Sequence, residues 1–165
     1  MDRPPSTGNS PTSLQTDRTF DLGTGRTACI AGAVSLAAAI ALGAFGAHAI
    51  EAALPADRLD AYQTASQYHF YSCFFLFVLA LTRSVIGRGS LTGRGDATTD
   101  ARLAQAQACW GWGTLVFCGS VYLVSVRGLI GMETASWLGA IAPIGGTLLI
   151  VGAGLAAWAI LKHDA

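Results

Sequence analysis

The feature that most constrains this chain is a series of four long apolar stretches, at residues 28–47, 68–86, 103–126 and 143–161. Three of them contain no charged side chain, and the second contains only Arg83, close to its end. About 20 apolar residues in a helix cross the roughly 30 Å hydrocarbon core of a bilayer. Inside that core only a helix or a closed barrel satisfies the backbone amides. The stretches therefore predict an all-α integral membrane protein, a bundle of four transmembrane helices.

Composition agrees with a membrane protein whose surroundings are the lipid bilayer. Apolar residues make up 52% of the chain and charged residues only 12%, and the mean hydropathy is +0.48. Ten basic and ten acidic side chains cancel, so no overall positive field attracts nucleic acid. We therefore expect no nucleic-acid partner.

Two parts of the chain are expected to behave differently. Residues 1–26 are rich in Pro, Ser, Thr and Gly and cannot bury enough apolar surface to fold alone, which predicts a disordered N-terminal tail. Residues 27–162 form the transmembrane domain. Between its first two spans, Pro55 suits the first turn of a helix that either lies at the interface or runs directly into the second span. Pro143 likewise suits a helix start and predicts that the fourth helix begins there; a longer, kinked helix is the alternative.

The basic residues near the ends of the spans predict the orientation. Eight Lys or Arg residues fall on one side of the four spans and two on the other, which places both termini in the cytoplasm. The eight are Arg3, Arg18, Arg26, Arg83, Arg88, Arg94, Arg102 and Lys162, and the two are Arg58 and Arg127.

Small residues predict how the helices pack, because helices in lipid associate through close approach at small side chains. The first span repeats a small residue every four positions, and glycines recur in the third and fourth spans. The predicted packing residues are Ala31, Ser35, Ala39, Gly43, Ala47, Gly119, Gly145 and Gly146.

Polar side chains that could carry chemistry are few. No Asp, Glu, Lys or Arg lies in the middle of a span, which disfavours a proton-coupled transporter. The remaining candidates are His48, Glu51, Tyr68 and His69, predicted to lie together at the outer rim of the first two spans. A metal or haem bound between His48 and His69 is one hypothesis. We favour the interpretation that these residues cap helices and form hydrogen bonds between helices, since two histidines without fixed spacing are weak evidence for a metal site. We assign no catalytic residue, no metal and no cofactor.

Four short motifs, in order, resemble one known family. They are Gly43-Ala44-Phe45-Gly46-Ala47-His48, Tyr68-His69-Phe70-Tyr71, Phe117-Cys118-Gly119-Ser120-Val121-Tyr122 and Pro143-Ile144-Gly145-Gly146. The chain resembles the transmembrane protein 256-like family, also called domain of unknown function 423, from about Ala28 to Leu161. The resemblance implies a small four-helix bacterial inner-membrane protein with no established activity. Two positions depart from the family pattern: Ser72 stands where a second histidine is usual, and Ala142 where threonine is usual.

These observations leave three functional hypotheses. The first is a non-enzymatic protein with a structural, assembly or interaction role, as a homo-oligomer or with a membrane-protein partner. The second is a small oligomeric transporter or channel. The third is a haem or metal binder that uses the rim histidines.

Overall fold

The computed structural model describes residues 26–86, 97–132, 134 and 137–162. Its helices are α1 (Arg26–Phe45), α2 (Ala56–Ile86), α3 (Ala97–Val126) and α4 (Leu138–Leu161), and a π-helical turn, Gly46–Ile50, follows α1. Each of the four is long and apolar enough to cross a membrane. The predicted all-α membrane bundle is therefore confirmed. The predicted tail lies outside the described residues apart from Arg26, and the cytoplasmic placement of the termini stays a prediction.

Successive helices are antiparallel neighbours. Between α1 and α2, Gly46 lies against Tyr62 and Gly32 lies against Phe77, so residue numbers fall along one helix as they rise along the other. Along α2 and α3, ring contacts run from Tyr62–Tyr122 to Phe75–Trp110. Helices α3 and α4 are also antiparallel, because Gly113 lies against Leu149 and Gly152 lies against Trp110. The start of α1 and the end of α4 therefore share one end of the bundle, the terminal end, while residues 46–55 and 127–132 lie at the other, the hairpin end.

Helix α1 packs mainly against α2, through a face that differs from the predicted stripe. The buried positions are Gly32 and Ala39 in α1 and Gly46 at the start of the turn that follows, and they are spaced by seven. A spacing of four drifts by about 40° per repeat around a helix, whereas a spacing of seven stays on one side. Consequently Ala31 and Ala47, the ends of the stripe, are exposed.

The far end of α1 widens into the π-helical turn at a hydrogen bond from α2. The Tyr62 hydroxyl donates to the carbonyl oxygen of Leu42 over 2.7 Å. A methyl group at Gly46 would collide with the Tyr62 ring. Glycine at this position therefore lets Tyr62 reach the α1 backbone, and the Leu42 carbonyl has a partner inside the bilayer, where an unpaired one is costly.

Glycines bring the α3 and α4 backbones into close contact. A Cβ added at Gly113 would lie 2.9 Å from the Leu149 nitrogen, and one at Gly152 would lie 3.0 Å from the Trp110 nitrogen. At Gly145 it would overlap the Phe117 backbone. Of the predicted packing glycines in α3 and α4, only Gly145 is in tight contact. A Cβ at Gly119 would meet nothing within 4 Å, and one at Gly146 would meet only Phe117 Cδ2, at 3.8 Å.

Three helices begin earlier than the apolar stretches predict. Helix α2 begins at Ala56, because the polar segment after Pro55 continues straight into the second span. Helix α3 begins at Ala97, so that Asp100 lies in its first turn rather than in a loop. Helix α4 begins at Leu138 and contains Pro143. The predicted start at Pro143 is therefore wrong: the helix extends five residues before this proline, which gives up the one helical hydrogen bond that its own N–H would have made.

Candidate functional site

The four residues predicted to share an outer rim lie in different surroundings. His48 and Glu51 are exposed on and beside the π-helical turn. His69 follows Ala56 by thirteen residues, which places it about 20 Å along α2, near the middle of that helix. Tyr68 lies against Phe117 of α3, with ring centroids 5.2 Å apart. The structure therefore does not assemble the predicted rim site.

The distance between the two histidines argues against a shared metal or haem. The His69 ring contacts Ser35 of α1, and Ser35 precedes His48 by thirteen residues, about 20 Å along the same helix. Two imidazoles on one metal ion each lie about 2 Å from it. Within the described ranges, no cluster of three or more His, Cys, Asp or Glu could hold a metal.

His69 instead belongs to a polar cluster at mid-bundle with Ser35 and Cys73. The Cys73 thiol donates to Ser35 Oγ over 3.4 Å, and Ser35 Oγ lies 3.1 Å from His69 Nε2. A serine hydroxyl has one proton and two lone pairs, so Ser35 can either donate to His69 Nε2 or accept from it. We assign the tautomer in which Ser35 donates, which puts the ring N–H on His69 Nδ1. That nitrogen is buried and has no partner among the described residues.

A second polar cluster ties α2 to α3 near the terminal end. Arg83 binds Asp100 through both carboxylate oxygens, with Nε–Oδ1 and Nη2–Oδ2 distances of 3.0 and 3.2 Å. Its Nη1 donates to Gln107 Oε1 over 2.9 Å. Because arginine only donates, Gln107 must turn its oxygen toward Arg83, which leaves the amide nitrogen facing away. Gln107 is 9% exposed, and Nε2 has no partner in the described part of the chain.

His69 and Gln107, which carry these two unpartnered nitrogens, line one groove between α1, α2 and α3, which we call the α1–α3 groove. Its middle part has a volume of about 460 Å³ and its terminal part about 290 Å³. His69 lines the first and Gln107 the second, and the two parts share Ala31, Leu76 and Gly111. On α2 the groove follows residues 69, 76 and 83, a seven-residue spacing that keeps one face over about 21 Å.

A separate cavity of about 420 Å³ lies between α2, α3 and α4. We call it the aromatic cavity, because four of its nine lining residues are aromatic. Its wall includes Tyr68, Tyr71, Ser72, Trp110, Phe117 and Gly146.

Comparison with known proteins gives this architecture a family. Residues 42–146 match the family model described as protein of unknown function (DUF423). The chain belongs to this family.

Curated DUF423 relatives are membrane proteins without an assigned activity. UPF0382 membrane protein YwdK of Bacillus subtilis is 38% identical over 122 residues, 74% of this chain and 85% of that protein. UPF0382 membrane protein SSP2132 of Staphylococcus saprophyticus is 31% identical over 123 residues, 74% of this chain and 87% of that protein. No solved structure is significantly similar to the chain.

Three of the four motifs that carry the DUF423 resemblance contribute to the aromatic cavity. Tyr68 and Tyr71 come from the second motif, Phe117 from the third and Gly146 from the fourth. Ser72, one of the two departures from the family pattern, also lines it. The motifs, which are far apart in the sequence, therefore converge on one place in this DUF423 bundle.

Proposed function

We propose that the protein is a non-enzymatic component of the bacterial inner membrane that binds a transmembrane helix of another protein in the α1–α3 groove. The observation that carries the proposal is the groove itself, which is lined by His69 and Gln107, two residues whose buried nitrogens have no partner among the described residues. Under this proposal the termini face the cytoplasm, as the distribution of basic residues predicts.

The shape of the groove suits a helix. Small residues on α1 and α3, including Ala31, Ala38, Gly111 and Gly119, line it. Such residues let helix backbones approach closely in lipid. A Cβ at Gly111 or Gly119 would meet nothing within 4 Å, so neither glycine is needed for packing inside the bundle. Space is left on both for a helix from outside.

The polar groups in the groove specify what that helix carries. An unsatisfied N–H in hydrocarbon is costly. In the described part of the chain Gln107 Nε2 has no acceptor, and neither has His69 Nδ1 in the assigned tautomer. An Asn, Gln, Asp or Glu side chain on the partner helix would supply the missing acceptor. Hydrogen bonds of this kind join helices in membranes, where each contributes about 0.6–2 kcal/mol.

The first and last helices of a second copy of this chain meet the requirement poorly. The two outer helices, α1 and α4, contain no Asn, Gln, Asp or Glu. Their exposed side chains near mid-helix are mostly apolar, as at Val34, Ile40, Ile150 and Val151; the exception is Thr147, whose hydroxyl donates to the Pro143 carbonyl. A homo-oligomer formed through these helices would therefore offer no carboxylate or carboxamide to His69. This supports a different protein as the partner.

Site-specific photocrosslinking in native membranes tests the proposal. A diazirine amino acid at Ala38, which lines the groove, is expected to form an adduct with one other protein. The same amino acid at Ile40, which is 55% exposed, provides the matched control. These positions are two residues apart and so point in nearly opposite directions around α1.

The proposal is tested by the adduct yield relative to the control and by the mass of the adduct. We expect the adduct from Ala38 in at least severalfold excess over that from Ile40. Equal yields from both positions would mean that the groove is filled by lipid like the rest of the surface. An adduct of twice the mass of this chain would identify a second copy as the occupant and contradict the proposed hetero-complex.

A further inference from the structure

The aromatic cavity lies at the middle of the bundle and not at its rim. Ser72 follows Ala56 by sixteen residues, and Trp110 follows Ala97 by thirteen, which places both about 20 to 24 Å along helices of 31 and 30 residues. The rings of Tyr68 and Phe117 meet edge to face, with centroids 5.2 Å apart. Tyr71 is exposed, so the cavity opens sideways toward lipid.

The cavity has the character of a small-molecule site. Ligand cavities are commonly 300–1,000 Å³ and mostly apolar or aromatic, with a few polar groups that fix orientation; this one has a volume of about 420 Å³. The polar side-chain groups of the lining residues are the indole N–H of Trp110 and the hydroxyls of Ser72, Tyr68 and Tyr71. Trp110 packs on Phe75 with ring centroids 4.0 Å apart, which holds its indole in place.

The indole N–H of Trp110 lacks an acceptor. Nε1 is buried and has no hydrogen-bond partner among the residues that the structure describes. Buried indole N–H groups usually find a partner, and in hydrocarbon water does not supply one. An acceptor on a molecule inside the cavity would complete this bond, and the Ser72 hydroxyl offers a second donor beside it.

We propose that the aromatic cavity binds a lipid-soluble quinone, a flat ring that carries carbonyl oxygens and an apolar tail. The ring stacks on the aromatic walls, and its carbonyl oxygens accept from Trp110 and Ser72. A glycerolipid does not meet this requirement. Its polar groups stay at the edge of a hydrocarbon core about 30 Å thick, so only its acyl chains reach the depth of Trp110.

Thermal unfolding of the purified full chain in detergent micelles tests this site, with decylubiquinone as the probe. Ligand at a hundredfold excess over its Kd is expected to raise the Tm by about 5 °C or more. Decylbenzene, which has the ring and tail but no carbonyl, is expected to shift the Tm much less. Because the readout is unfolding, quenching of tryptophan fluorescence by the quinone does not affect it.

Two variants with matched controls locate the binding. Trp110→Phe keeps a ring but removes the N–H, and we expect affinity to fall about threefold to tenfold. Trp112→Phe, at a side chain that is 63% exposed, is expected to leave affinity unchanged. Ala153→Leu fills the cavity and should abolish the shift, whereas Ala157→Leu, exposed on the same helix, should not.

An equal shift with decylbenzene, or an undiminished quinone shift in both Trp110→Phe and Ala153→Leu, would overturn the proposal. If Ala153→Leu does not fold, the comparison of the two probes and the Trp110→Phe variant still decide. The measurement is independent of the α1–α3 groove, because the purified chain carries no partner helix. Failure here therefore leaves the proposed helix-binding function untouched.

Discussion

Gly145→Ala is expected to lower the free energy of unfolding by about 2 kcal/mol, because the space that the added methyl group needs is already occupied. It would overlap the backbone of Phe117, whose Cα would lie 2.7 Å away. A side chain can rotate away from such a contact, but a helix backbone cannot. Helices α3 and α4 would have to separate, which also weakens the contacts at Gly113 and Gly152. Unfolding in mixed micelles, followed by circular dichroism, measures the loss.

Gly154→Ala is the matched control, because a Cβ at Gly154 on the same helix would meet nothing within 4 Å. Alanine favours helix over glycine by up to about 1 kcal/mol, so this variant should be as stable as the parent or slightly more stable. A Gly145→Ala variant as stable as Gly154→Ala would show that α3 and α4 do not approach as closely as described.

Asp100→Asn is expected to destabilise the protein by about 1–3 kcal/mol. The variant removes the negative charge that faces Arg83 in a bidentate pair. The side chains of Arg83 and Asp100 are 11% and 20% exposed, so the guanidinium would keep its charge with little access to water. Removing one partner of a fully buried ion pair costs about 3–5 kcal/mol, and partial exposure reduces that figure. The same unfolding assay measures the effect.

Asp57→Asn separates the ion pair from the effect of an acid at a helix start. Asp57 lies in the first turn of α2, as Asp100 lies in the first turn of α3, but it is exposed. Loss of a charge from a first turn costs about 0.3–1 kcal/mol. Equal losses in both variants would mean that Arg83 contributes nothing beyond the helix dipole.

The number and type of elements could be predicted from the sequence because a bilayer imposes the length of each helix. The helix ends could not, because a helix that has crossed the membrane continues in water for as long as its residues allow. In α2 the polar turns that carry Asp57 and Asp60 precede the apolar stretch, and hydropathy alone does not assign them to the same helix.

The depth of His69 was the main error in predicting the site. The apolar stretch begins at Tyr68, so hydropathy places His69 at its edge, whereas the helix starts at Ala56. One feature of the sequence does indicate a deeper position for His69 in the bundle. Ser35 is the single hydroxyl residue in the first span, residues 28–47, and a polar side chain there needs a partner on a neighbouring helix. His69 and Cys73 are those partners.

The two cavities could not have been predicted, since they depend on which helices approach closely. Gly113, Gly145 and Gly152 draw α4 onto α3, while Gly111 and Gly119 look identical in the sequence and face open space. Only the rotation of each helix about its axis separates a packing glycine from one that lines a groove. Sequence periodicity does not fix that rotation in helices that are apolar all round.

The most direct test of the proposed helix-binding function is the dependence of the Ala38 photocrosslink on the N–H donor at position 69. His69→Gln retains a donor, and His69→Leu has a side chain of similar reach without one. Glutamine is expected to keep most of the yield of the protein adduct, and leucine to lower it about threefold to tenfold. Yields are compared at equal amounts of folded protein, and an undiminished yield in the leucine variant would contradict the account.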